Sequence, residues 1–271
     1  LWVVLALSVF GIGAALGGRS LAWTSAAICW LMPIFLDTMG GGIASSFAFP
    51  LLAFFWWAWQ KERVEWMVIA LAAQALFIPY LFAVCALAVL AAWAAGRIRP
   101  EWSPIFPRRP IHFLLLAVAG IVVLVWQYQW SAAWGPLSTA AEMKGRPEFG
   151  PVPGGRYEIP TPFYTDIFLR PWEFIATYRE SGVGLAILLT VLIAGFAVWG
   201  LYKADWKTIK PRLEPALWIG LASLFLYIVA RIFILRLFVP ARYVFFTINL
   251  MYCLLLAIGF HTLLARAEVR R

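Results

Sequence analysis

The sequence predicts an all-α fold: a polytopic transmembrane helix bundle of about nine membrane segments with one large extracytoplasmic loop. Three observations carry that expectation. Hydrophobic residues make up 63% of the 271 and charged residues only 13%, whereas a soluble domain carries about 25% charged and 45–50% apolar residues. The charges are unevenly spread: Leu1 to Leu36 contains only Arg19, and Ile111 to Ala141 contains none. Lys and Arg also collect in short clusters between apolar runs, the pattern left where basic residues are retained on the cytoplasmic side of a membrane.

Taken in order, the apolar runs cover residues 1–17, 21–36, 42–59, 64–78, 81–95, 111–128, 183–202, 215–238 and 244–264. Runs of about 18 apolar residues or more suit a hydrocarbon core of about 30 Å. The first begins at Leu1 with no basic residues ahead of it. A signal peptide would carry a basic n-region there, so the expectation is a piece of a longer protein. The fourth and fifth runs form one stretch interrupted only at Pro79; at 1.5 Å per residue it is about 48 Å long, short for two full crossings. Parity decides its course. Lys61 and Arg63 precede it, and Arg97, Arg99, Arg108 and Arg109 follow it, so both flanks share a side and the stretch crosses an even number of times. A hairpin of two short helices turning at Ile78-Pro79-Tyr80 meets that condition, because proline removes a helix hydrogen bond at the turn.

The remaining loops follow from the same rule. Arg19, the Lys61/Arg63 loop, the Arg97–Arg109 loop, the Lys203/Lys207/Lys210/Arg212 loop and the Arg266/Arg270/Arg271 tail are cytoplasmic. The N-terminus of this piece then faces outside and its C-terminus faces the cytoplasm. The chain divides into membrane segments 1–6 over residues 1–129, an extracytoplasmic loop over 130–182, and segments 7–9 with the tail over 183–271. The loop contains seven prolines, six acidic and five basic residues; long loops cross the membrane largely regardless of charge. Residues 171–179 within it, rich in aromatic and charged side chains, suit a short interfacial helix.

The net charge of +9 does not indicate a nucleic-acid partner, because the basic residues mark loops rather than one face. Cys29, Cys85 and Cys253 lie in apolar runs with no partner at metal-ligand spacing, and read as small buried hydrophobes. His112 and His261 are far apart with no other ligand type beside them, so no metal motif is present.

Three features stand out as candidates for chemistry, one of them the long loop's own Glu142, Arg146, Glu148, Arg156, Glu158 and Asp166. Arg231, Arg236 and Arg242 converge on the outer end of the last two spans. Arginine within a span is costly and faces a protein interior or wet cavity, and its fork suits phosphate; snorkelling accounts for Arg236 and Arg242 more easily than for Arg231. Five residues separate Arg231 from Arg236, about 140° around a helix, so Arg231 with Arg242 is the preferred anion-binding pair. Asp37 is the only acid among the first 61 residues. It reads either as an exposed loop-end carboxylate or as a catalytic general base or metal ligand facing the outer cavity.

Two short motifs carry a resemblance. Leu237-Phe238-Val239-Pro240-Ala241-Arg242-Tyr243 before a late apolar span resembles the C-terminal region of bacterial GT-C-type membrane glycosyltransferases, where a Pro-x-Arg-Tyr turn recurs. The segment from Ile43 to Leu52 looks like the span after an early outer loop in proteins of this type. The resemblance implies a bacterial cytoplasmic-membrane protein that transfers a sugar from a polyprenyl-phosphate donor on the extracytoplasmic face. Membrane lipid and a polyprenyl-phosphate-linked sugar are the implied partners, a divalent metal is a possible cofactor, and Arg242 and Tyr243 match the turn. Arg231 and Arg236 are then the further lipid-phosphate contacts. The sequence departs from the family in one respect: no acidic pair follows its first span, so the catalytic acid is Asp37, or lies upstream of this piece, or the chain is not an active enzyme. A transporter or flippase, and a cell-surface polysaccharide polymerase or ligase, are the alternative readings.

Overall fold

The computed structural model describes residues 1–40, 43–99, 118, 120–122, 125, 195, 197–232 and 240–269. Among these residues the fold is helical, without strands: α1 (Trp2–Leu31), α2 (Pro33–Met39), a 3-10 turn (Ala44–Phe47), α3 (Ala48–Gln60), α4 (Val64–Phe77), α5 (Pro79–Ile98), α6 (Trp206–Ile209), a second 3-10 turn (Lys210–Leu213), α7 (Glu214–Ile232) and α8 (Ala241–Val269). Four stretches are long and apolar enough to cross a membrane by length and composition: Trp2–Leu31, Pro79–Ile98, Trp206–Ile232 and Ala241–Arg266. The expected loop at 130–182 and most of the runs at 111–128 and 183–202 lie outside the described residues.

The first of these stretches is not a straight rod. Trp2 and Trp30 stack with ring centroids 5.1 Å apart, and Phe10 meets Trp23 edge-on at 5.0 Å. A continuous helix would separate residues 2 and 30 by about 42 Å. The chain reverses at Gly17 and Gly18, whose backbones are non-helical. Gly18 has φ 79°, a conformation glycine reaches without a Cβ penalty. α1 is therefore a helical hairpin whose limbs, residues 2–16 and 19–31, correspond to the first two apolar runs.

Prolines set the next boundaries. Pro33 opens α2 and Pro79 opens α5, each in the first turn of its helix, where the missing N–H is not needed. Two boundaries differ from the sequence expectation. The run at 21–36 is broken at Met32, and the run at 42–59 becomes α-helical only at Ala48, after the 3-10 turn. Pro33 explains the first, since it disfavours helix in the residue before it.

The hairpin expected at Ile78-Pro79-Tyr80 is present. α4 ends at Phe77 and α5 starts at Pro79, with the Gln74 side chain against the Cys85 thiol; a continuous helix would hold those residues about 16 Å apart along its axis. α4 also runs antiparallel to α3: Phe47 stacks on Phe77 at 4.7 Å, Phe54 meets Trp66 at 5.8 Å, and Gln74 Nε2 donates to the Leu51 carbonyl at 3.2 Å. α3 is central, with Phe49, Phe55, Trp56 and Trp59 fully buried. α7 and α8 form another antiparallel pair, in which the Ser223 hydroxyl donates to the Tyr243 carbonyl.

The basic loops gather at one end. Arg212 Nη1 donates to the Ala15 carbonyl at 2.8 Å beside the α1 reversal, and Gln60 Nε2 donates to the Arg212 carbonyl at 3.1 Å. The Ser20 hydroxyl lies 3.3 Å from His261 Nδ1, and Arg266 Nη2 donates to the Lys203 carbonyl at 2.8 Å. Asp205 caps α6 there, accepting from Lys207 N at 3.2 Å and Thr208 Oγ1 at 2.7 Å. Near this end helical residues 197–203 cross α8 backbone to backbone: a Cβ on Gly200 would collide with the Gly259 carbonyl oxygen, and one on Gly259 with that of Ala197. Only glycine permits so close an approach.

Candidate functional site

At the opposite end, α2, the first 3-10 turn and the tips of α4, α5 and α8 line an open cavity of about 580 Å³. The same proline-bounded helix starts that order the fold deliver its side chains. Pro79 begins α5 and so places Tyr80 in the first turn; Pro240 precedes α8 and places Arg242 in its first turn. Thr38 comes from α2, Ser45 from the 3-10 turn, and Phe77, Phe245 and Phe246 supply aromatic walls.

Arg242 is the charged side chain among the described lining residues. It is exposed, and its guanidinium carbon sits 5.8 Å from the Tyr80 ring centroid, within the range of a cation–π contact. Tyr80 in turn packs on Phe246 (6.0 Å, stacked) and edge-on against Tyr243 (6.4 Å). Chemically the cavity offers a guanidinium, two hydroxyls and a phenol over an aromatic floor. That set suits an anion attached to an apolar body.

The sequence candidates fall as follows. Arg242 lines the cavity, and the adjoining Tyr243 is buried behind it, its ring against Tyr80. Asp37 is exposed on α2, one residue before Thr38; Thr38 lines the cavity and Asp37 does not. Arg231 is half-buried near the end of α7, where its Nη1 donates to the Tyr227 hydroxyl at 2.8 Å and its guanidinium lies 5.6 Å from that ring's centroid. Arg231 is not among the residues around Arg242 in the cavity. Arg236 lies outside the described residues. Among the described residues no group of three His, Cys, Asp or Glu could hold a metal ion.

Three participants, Tyr80, Thr38 and Ser45, were not singled out from sequence. Tyr80 was read only as a turn marker, although an aromatic directly after a helix-opening proline signals a side chain held at a helix mouth. Thr38 and Ser45 carry no signal beyond flanking the glycine run at 40–42. No family model matches the chain, and neither the curated proteins nor the solved structures provide a match.

Proposed function

We propose that the chain is an integral protein of the bacterial cytoplasmic membrane, with about nine membrane segments and a large extracytoplasmic loop, that acts as a GT-C-like glycosyltransferase on a polyprenyl-phosphate-linked sugar. The observation that carries this reading is the placement of Arg242 over Tyr80 in an aromatic-walled cavity at the end opposite the basic loops. If those loops are cytoplasmic, the cavity lies on the extracytoplasmic side, where the loop at 130–182 also belongs.

In this reading Arg242 pairs with the donor phosphate, while Phe77, Phe245 and Phe246 contact the first isoprene units. The acceptor oxygen attacks the anomeric carbon, the bond from that carbon to the phosphate oxygen breaks, and polyprenyl phosphate leaves. The acceptor proton passes to a carboxylate, for which Asp37, exposed on α2 one residue before the cavity-lining Thr38, is the candidate. Arg242 acts by stabilising charge on the departing phosphate.

The test is binding of a polyprenyl phosphate to the purified chain in nanodiscs, followed by transfer from the corresponding sugar-charged lipid. A charge-assisted hydrogen bond contributes about 1.5–3 kcal/mol, so Arg242→Gln weakens binding by about ten-fold or more. Arg242→Lys keeps the charge but loses the fork and falls between. Unchanged affinity in Arg242→Gln refutes the assignment of this cavity.

A further inference from the structure

Two of the three cysteines, far apart in the chain, meet where the second limb of α1 packs on α8. The two helices run antiparallel along a seam: the Ser20 hydroxyl lies 3.3 Å from His261 Nδ1, and further along it the Cys253 thiol donates to the Ser25 carbonyl at 4.0 Å. Cys29 stands one helical turn beyond Ser25 on the same face, and its thiol is in hydrogen-bonding contact with that of Cys253. Both side chains are fully buried.

The pair is set deep in the bundle. At 1.5 Å per residue, Cys253 is about 18 Å from Ala241 at one end of α8 and about 20 Å from Arg266 near the other, and Cys29 is about 15 Å from Arg19. No Lys, Arg, His, Asp or Glu lies within two turns of either cysteine along the chain. That setting chooses among the reactions open to two facing thiols. Two thiolates around a soft monovalent cation leave an unbalanced negative charge among apolar side chains, which is costly. A disulfide is neutral, and from hydrogen-bonding contact the sulfurs need only close to the roughly 2 Å of an S–S bond.

We propose that Cys29 and Cys253 are a redox-active dithiol that closes to a disulfide joining α1 to α8, with a lipid-soluble quinone as the oxidant. Both S–H bonds break and one S–S bond forms; the two electrons and two protons released reduce the quinone to its quinol. Depth selects the oxidant. A quinone dissolves in hydrocarbon, whereas a soluble oxidoreductase does not reach sulfurs so far from either end of the bundle. The seam has to part to admit it, because both side chains are enclosed, so oxidation proceeds at the rate of that opening. The bridge fastens α8, whose first turn carries Arg242, to the limb that leads into α2 and Thr38. It does not depend on what the cavity between those residues binds.

The test exposes the full chain in nanodiscs to duroquinone, whose methylated ring carbons do not add thiols, and then unfolds it in a maleimide to count the thiols left. Wild type loses two of its three thiols, its mass falls by two hydrogen atoms without dimer formation, and quinol appears in equal amount; a reductant restores all three. Cys85→Ser loses both of its remaining thiols, whereas Cys29→Ser and Cys253→Ser lose none. Phenylarsine oxide, which binds thiols close enough to share one arsenic, reads the pairing in wild type without any substitution and protects the same two from the maleimide. The proposal is overturned if duroquinone removes no thiol, even where iodine forms the bridge. It is overturned too if Cys29→Ser or Cys253→Ser loses thiols as wild type does, or if the arsenical protects none.

Discussion

Arg242 follows Pro240 by two residues and lies over Tyr80, whose own position follows from Pro79. Two proline-initiated helices thus bring together a cation and a ring from parts of the chain separated by more than half its length. The contact is partly solvated, where a cation–π pair contributes about 0.5–1 kcal/mol. Its effect on a bound phosphate is to hold the guanidinium in one orientation rather than to add charge. Tyr80→Leu therefore weakens polyprenyl-phosphate binding by about two- to five-fold, less than Arg242→Gln, and Tyr80→Phe, which keeps the ring, binds as wild type. Equal losses in Tyr80→Phe and Tyr80→Leu would mean that the phenol hydroxyl, not the ring, does the work. Sequence pattern made Arg242 visible because a charge beside an apolar span is conspicuous. It could not reveal Tyr80 as its partner, because that pairing depends on how α5 and α8 pack.

Among the elements, the α1 hairpin and the α4–α5 hairpin were legible for a simple reason: each reversal carries residues that weaken or end a helix. Gly17-Gly18 beside Arg19 and Ile78-Pro79 supply both a backbone break and a charge or parity constraint. The onset of α3 was not legible. Residues 42–47 are as apolar as a helix of this fold requires, and hydropathy alone does not distinguish a 3-10 turn from an α-helix. The α1 reversal yields a direct prediction. With Trp2→Cys and Trp30→Cys introduced together, mild oxidation or a short bifunctional thiol reagent links the two limbs. A straight α1 would hold them about 42 Å apart, and failure to link in folded protein would rule the hairpin out. The crossing of residues 197–203 with α8 makes a second one. Gly259→Leu forces side-chain atoms into the Ala197 backbone, and overpacking of this kind costs about 1–3 kcal/mol. Its midpoint of thermal unfolding in detergent falls below wild type, whereas Gly195→Leu, where a Cβ meets nothing within 4 Å, leaves the midpoint unchanged.

At the scale of the molecule, charge is sorted between the two ends of the bundle. The end holding the α1 reversal carries Arg19, Lys61, Arg63, Lys203, Lys207, Lys210, Arg212 and Arg266, tied together by the Arg212–Ala15, Gln60–Arg212 and Arg266–Lys203 hydrogen bonds. The far end, among the described residues, carries Arg231 and Arg242. Loops rich in Lys and Arg stay on the cytoplasmic side, so in the proposed reading the membrane lies between the two ends and the Arg242 cavity opens away from the cytoplasm. Thiol labelling tests both halves of that statement at once. The native cysteines are buried, so an introduced thiol reports with little background. Ala44 at the cavity and Lys207 in the basic loop are both exposed. In intact spheroplasts an impermeant maleimide labels Ala44→Cys and leaves Lys207→Cys untouched until the membrane is permeabilised. Labelling of both before permeabilisation would mean that no bilayer separates the two ends. The inverse pattern would turn the bundle over and put the Arg242 cavity on the cytoplasmic face, out of reach of a sugar donor presented outside, and the proposed transfer would then fail.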